Sequence, residues 1–320
     1  MRITEKLIGG AIALFVAFSA PATVSADELR FSTPTPPPHI FTRTAERLAE
    51  ALSDDDNTIE VFPVNQLGNV PTVLSLLQSG GVELAIVPVG DLANRDPAFY
   101  GWFLPFQFET LAEAGAAANS EPAQEMLARL DQQGITGLGY VFPGQRHVLS
   151  KTPVTSVSDF EGLKVRAFPN DIFSAWWREL DAAPTALPLP EIMPSLVTGV
   201  IDAVDVDVDI VFGLSMHNQA PNLVLTNHMA FPGAVLASKR WWDGLDEATQ
   251  ERFLEAVSEA QAWAIETQTA GEATLLERLE ADGASISTLD AAELREAGAV
   301  VRDAFLERDP LIGAFYEANQ

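Results

Sequence analysis

The segment DFEGLKVR, residues 159–166, decides the reading of this chain. Leu163, Lys164 and Val165 read as a strand, and Arg166 closes it shortly before Pro169. Proline cannot donate to a sheet ladder, so the strand ends there and leaves the arginine at its tip. A guanidinium presents a planar fork of donors that can hold both oxygens of a carboxylate. The residues alone leave two roles open for Arg166: an ion pair with one of the many acids of the chain, or capture of an anion from outside it.

Working outward, residues 137–142 form a strand that Gly144, Arg146, His147 and Val148 carry toward this segment. A short helix over 173–180, a helix over 192–197 and an alternating strand over 201–208 follow. Further strands are predicted at 223–226 and 233–238, then a nearly continuous helix over 245–279 and a last one over 289–305. Before the segment, 28–33, 58–62 and 82–87 read as strands, separated by helices at 41–52 and 70–77. Phe41, Ala45, Leu48 and Leu52 recur at helical spacing on one face. Residues 111–130 are helical with a break at Ser120-Glu121-Pro122. Strands alternating with helices predict an α/β protein with a mostly parallel sheet.

The N-terminus reads as an export signal. Arg2 and Lys6 precede an apolar run from Leu7 to Ala20, and Val24-Ser25-Ala26 supplies small residues for cleavage before Asp27. The run falls short of the ~20 residues a spanning helix needs, so no stable membrane insertion is expected. The mature chain of about 290 residues predicts two domains rather than one core. It has no cysteine, hence neither a disulfide nor a thiolate site. With 45 Asp and Glu against 19 Lys and Arg, the net charge is −26. Such a surface repels nucleic acid and anionic lipid, and it suits a salty environment.

Catalytic signatures are missing. The four histidines, His39, His147, His217 and His228, form no HExxH pair, and no GxSxG elbow or phosphate loop occurs. A glycosidase needs two carboxylates flanking a scissile bond, and acids are too numerous here for that pattern to be specific. No catalytic residue, cofactor or metal is expected. The run DAVDVDVD, residues 202–209, sets Asp205, Asp207 and Asp209 on one face of the predicted strand. That face would need solvent, cations or positive partners. Calcium is conceivable there, but the spacing is not that of a calcium loop. Phe168, two residues past Arg166, is a candidate apolar wall. Trp176 is a second candidate, although adjacent Trp177 must point elsewhere, and Trp241 and Trp242 read as packing residues.

Several pieces together, in order along the mature chain, resemble the solute receptors of tripartite ATP-independent periplasmic (TRAP) transporters. They are FPVNQLG at 62–68, LLQSGGVELAIV at 76–87, LPFQF at 104–108, Gly144–Arg146 followed by DFEGLKVR, residues 190–205, Asn227-His228, and SKRWWDGL at 238–245. Asn65 stands where the family commonly has glycine. The resemblance implies a two-lobed periplasmic-binding-protein fold with a hinge, a ligand cleft and a long helix spanning the lobes. It implies lobe I over 27–148, lobe II over 149–236, and a return to lobe I over 237–320.

The implied function is capture of a small organic acid outside the cytoplasmic membrane, for delivery to a permease driven by an ion gradient. A hexuronate or related sugar acid is favoured, with a C4-dicarboxylate next. Arg166 is implied to pair with the ligand carboxylate, and Arg146 to hold its far end or position Arg166. Asp205 matches a position often occupied by glutamate in relatives, and Val206 replaces an asparagine that often touches ligand there. His39, Asn65 and Glu191 are further ligand-binding candidates; His228 fits a structural role. A zwitterionic compatible solute such as ectoine, the receptor of an ATP-driven importer and a secreted glycosidase are the alternatives. A monomer is expected, working in the periplasm with TRAP membrane subunits.

Overall fold

The computed structural model describes residues 27–54, 57–289 and 291–320; the export segment expected over 1–26 lies outside them. The strands are β1 (Asp27–Ser32), β2 (Asn57–Phe62), β3 (Leu84–Pro88), β4 (Ile135–Val141), β5 (His147–Ser150), β6 (Lys164–Ala167), β7 (Ala183–Ala186), β8 (Ala203–Val206), β9 (Asn222–Leu225), β10 (Gly233–Ser238) and β11 (Ser285–Thr288). They form two sheets, ordered β2-β1-β3-β10-β4 and β11-β9-β5-β8-β6-β7. The architecture is therefore α/β with two lobes.

In the first lobe β1 pairs in parallel with β2 and β3. All five residues of β3, LAIVP, are buried, as expected of a central strand flanked on both edges and covered on both faces. The helix Ile40–Leu52 buries Ile40, Phe41, Ala45, Leu48 and Leu52 on one stripe. In the helix Val70–Ser79, Asn69 caps the start and Gly80, at φ +77°, ends it in the left-handed conformation that glycine tolerates. The predicted helix over 111–130 divides into Leu111–Ala117 and Glu121–Arg129 at the expected place, because Ser120 caps the second piece and Pro122 fits its first turn.

The chain crosses between sheets at places that local periodicity does not mark. β5 already belongs to the second sheet from His147. β10, inside the stretch 149–236 expected for lobe II, inserts antiparallel between β3 and β4 of the first sheet. All six of its residues are buried, which fits an interior position but does not say in which sheet. β11, in the stretch expected to stay with lobe I, joins the second sheet beside β9. The helix Glu247–Ala281 packs on Ile40–Leu52 and β4 in one lobe and on Val208–Gly213 and β11 in the other. Gln268 Nε2 on this helix donates to the Pro143 carbonyl at 2.6 Å, beside the first crossing.

Aromatic rings link the lobes where Phe103 packs against Phe173 and Phe231. Trp102 packs against Tyr140, Phe142 and Phe315. The predicted strand over 201–208 is shorter than expected: β8 ends at Val206, and Asp207 turns out of the sheet to cap the helix Val208–Gly213. Asp205, Asp207 and Asp209 consequently share no strand face, and all three are buried rather than solvated. Among the described residues, no helix is long and apolar enough to cross a membrane.

Candidate functional site

Two arginines on either side of β8, one just before β5 and one near the end of β6, line the space between the lobes, and their partners differ. Arg146 stands just before β5. Its backbone is fixed by N–H donation to the Met229 carbonyl at 2.7 Å. Its side chain is 2 % exposed: Nε donates to Asp205 Oδ1 at 2.5 Å, Nη1 to Asp207 Oδ2 at 3.2 Å, and Nη2 to the Asp205 carbonyl. The guanidinium carbon also lies 4.3 Å from the centre of the Phe231 ring, a cation–π contact. Arg146 is thus paired with two carboxylates of the protein.

Arg166, at the end of β6, is just as buried at 3 % exposure. Its Nε donates to the Leu187 carbonyl at 2.8 Å and its Nη1 to the Asp205 carbonyl at 3.3 Å. No carboxylate lies within ion-pair distance of it among the described residues. Burial first, and then the like charge of Arg146, weaken its hold on the proton, bringing its pKa down to about 9. It stays cationic at neutral pH, solvated by carbonyl dipoles and by the ring of Phe168 at 5.5 Å.

The acids beneath the arginines are already in use. Asp205 is fully buried and accepts from Trp177 Nε1 at 2.9 Å as well as from Arg146, while His228 Nε2 stands 3.3 Å away. Burial pushes its carboxyl up, but Arg146 and His228 outweigh that and hold it well below the usual range. Asp207 accepts from Ile210 N–H at 2.9 Å. Burial again opposes ionisation, and His39 and Arg146 bring its carboxyl down to about 2. These partners leave no open oxygen cage, and no group of three or more His, Asp or Glu among the described residues is placed to hold a metal.

A cavity of about 500 Å³ opens in front of both arginines, within the usual range for small-ligand sites. Its walls bring together Arg166, Arg146, Phe168, His39, Asn65 and Glu191 of the sequence-predicted candidates. His39 comes from the turn after β1, where its Nδ1 accepts Phe41 N–H and its Nε2 faces Asp207. Asn65 holds a left-handed conformation at φ +57°, which asparagine tolerates better than most residues. Glu191 sits exposed in the first turn of the helix Leu189–Thr198.

Two candidates stand elsewhere. Asp205 lies behind Arg146 rather than on the wall, because its carboxylate is taken up by Arg146 and Trp177. Trp176 is completely buried, stacked on His228 with a centroid distance of 5.4 Å and edge-on to Phe106. The core claims it together with Trp177, which is also buried and lies edge-on to the same His228 ring, so the two adjacent residues do not divide between core and cavity as expected. The wall also holds Asp91, Asn94, Phe231 and Asp207, which the sequence did not single out for this place. Asp91 carried one usable signal, an acid just past the end of an apolar strand. Phe231 carried none.

Comparison with known proteins adds an independent line. Residues 31–309 match the family model described as bacterial extracellular solute-binding protein, family 7. The C4-dicarboxylate-binding periplasmic protein DctP of Rhodobacter capsulatus is 28% identical over 271 residues, covering 82% of this chain and 81% of that protein. The 2,3-diketo-L-gulonate-binding periplasmic protein YiaO of Escherichia coli is 26% identical over 315 residues, covering 95% and 96%. Among solved structures, a TRAP periplasmic solute-binding protein of Haemophilus influenzae with bound L-gulonate superposes with a TM-score of 0.86 at 22% identity, covering 92% of this chain and 98% of that one.

Proposed function

The chain belongs to the bacterial extracellular solute-binding proteins of family 7, the receptors of TRAP transport, and on that premise we propose that it captures a small organic acid in the periplasm. A sugar acid is the favoured class and a C4-dicarboxylate the next. The observation that carries this reading is Arg166: a buried guanidinium on the wall of the cavity, with no carboxylate of the described residues within ion-pair distance. Leaving such a cation unpaired costs free energy, and an incoming carboxylate recovers it through a charge-assisted fork.

The two lobes meet across the cavity, so ligand contacts to both would favour the closed arrangement by their differential affinity. The receptor acts as a monomer, exported through residues 1–26, and hands its unmodified ligand to the membrane subunits. Phe168 and Phe231 supply the apolar face against which a carbon chain or sugar ring packs. A zwitterionic solute is the second reading, favoured by the carboxylates of Asp91 and Asp207 on the same wall.

The test is thermal stability of the purified mature protein against hexuronates, aldonates, C4-dicarboxylates and ectoine. A ligand at about 100 times its Kd adds roughly 2.7 kcal/mol of native-state stability. A saturable rise with a sugar acid and recovery of that acid unchanged supports the receptor reading. Steady consumption of the acid by the protein alone would replace it with an enzyme.

A further inference from the structure

Charge on the cavity wall is not spent evenly, and Asp91 is where the imbalance shows. Asp91 sits in the first turn of the short helix Val89–Ala93. The backbone there is fastened to the turn after β6: Asn170 Nδ2 donates to the Gly90 carbonyl at 3.2 Å and Asn94 Nδ2 to the Pro169 carbonyl at 3.1 Å. Gly90 allows the approach, since a Cβ there would meet Phe168 Cε1 at 2.6 Å. These contacts pin a first-lobe acid against the strand end that carries Arg166, on the same cavity wall.

The Asp91 carboxylate has no hydrogen bond or ion pair within the protein among the described residues, and the charges that reach it are those of Arg166 and Arg95. It is thus an acceptor left open, as Arg166 is a donor left open. Of the other acids on or under the wall, Asp205 and Asp207 are bound to Arg146, and Glu191 is solvated at the mouth. Among the described residues, two guanidiniums and His39, whose ring faces Asp207, therefore meet four carboxylates. One carboxylate of a ligand balances Arg166; a second negative group would meet Asp91 and Asp207 with no further unpaired guanidinium among the described wall residues to receive it.

Resting on the reading of Arg166 as the anchor, we infer that Asp91 sets the specificity of this cavity, admitting a monocarboxylate whose other groups donate hydrogen bonds and turning away dicarboxylates. Hydroxyl groups of a sugar acid meet this requirement, and so does the ammonium or amidinium end of a zwitterion. Like charges brought together in a partly desolvated site cost several kcal/mol, so discrimination against a dianion is expected to reach about 100-fold.

The experiment measures Kd by calorimetry at about pH 8.5, where Asp91, pushed up to about 7 by burial, carries its charge, for L-gulonate, ectoine and succinate with the wild-type protein, Asp91→Asn and Arg166→Ala. Asparagine keeps the shape of the side chain and removes its charge, and no internal hydrogen bond of Asp91 is lost. Wild-type protein is expected to bind gulonate or ectoine about 100-fold more tightly than succinate, and Asp91→Asn to narrow that ratio at least about tenfold, mainly by gaining succinate. Gulonate over ectoine identifies hydroxyls as the donors; the reverse identifies the cationic end. A wild-type protein that does not distinguish the monocarboxylates from succinate, whether binding all or none, overturns the inference, as does an unchanged ratio in Asp91→Asn. Arg166→Ala separates the two levels: if it binds gulonate and ectoine as wild type does, the anchor reading itself is wrong, whereas loss of binding together with an unchanged Asp91→Asn ratio removes only the role of Asp91.

Discussion

His39 of the first lobe holds its Nε2 3.7 Å from Oδ1 of Asp207 in the second. One residue further on, Ile40 N–H donates to Asp209 Oδ2 at 2.7 Å, so the start of the helix Ile40–Leu52 is capped by an acid from the other lobe. Burial pushes the His39 pKa down, but Asp209 and Asp207 raise it more, and it ends above its ordinary value of 6.5. A histidine raised in the folded state contributes stability that is full below pH 6.5 and lost as pH rises through its folded pKa. His39→Ala is therefore expected to lower Tm more at pH 6 than at pH 9. The residual loss at pH 9 is that of the helix cap, which Nδ1 accepts only in the neutral ring, about 1 kcal/mol. Equal losses at both pH values would mean that His39 is neutral throughout.

Arg146 and Arg166 should part company when each is replaced by alanine. Arg146→Ala strands Asp205 and Asp207 in the interior without their cation, and breaking such a buried pair costs about 3–5 kcal/mol of stability. Arg146→Lys cannot reproduce the three-way donation and should recover only part of it. Urea denaturation of the ligand-free proteins reads this directly.

Arg166→Ala removes a buried cation that has no ion-pair partner among the described residues. Ligand-free stability is expected to hold or rise, while binding of any carboxylate weakens by about 2–5 kcal/mol. A variant that is destabilised as much as Arg146→Ala, yet binds acids normally, would make Arg166 structural.

Asp91 gives a pH test that needs no ligand. Burial, only partly offset by Arg166 and Arg95, pushes its carboxyl up to about 7. A raised carboxyl means that the folded state holds its proton longer than the unfolded state, so stability falls as pH climbs from 3.8 toward 7. Asp91→Asn should thus raise Tm at pH 8 and leave it unchanged at pH 3.5. A lower Tm at pH 8 would show that the charged carboxylate stabilises the fold.

Sequence reading reached furthest where the information is local. Strand and helix periodicity marked most elements, and the break at Ser120-Glu121-Pro122 fell where a cap and a proline require it. The strand-end position of Arg166 was legible because Pro169 follows it closely. The acidic run misled because alternation of Asp with Val resembles a half-exposed strand, whereas Asp207 leaves the sheet as a helix cap. Trp176 was ambiguous for a similar reason: a tryptophan near an anchor can line a pocket or fill the core, and only its stacking on His228 decides.

By itself the sequence determined the α/β class, the family and the arginine at the end of β6, since each rests on residues adjacent in the chain or on ordered local motifs. The tertiary structure decided which sheet receives β10 and β11, which arginine is neutralised and which is left open, and that Asp91 shares a wall with Arg166. Those facts depend on contacts such as Arg146 with Asp205, 59 positions apart, and Ile40 with Asp209, 169 apart. Hydrophobic periodicity records which face of an element is buried, not which partner buries it. The charge balance of a cavity is set by partners that only the crossings between the two sheets bring together.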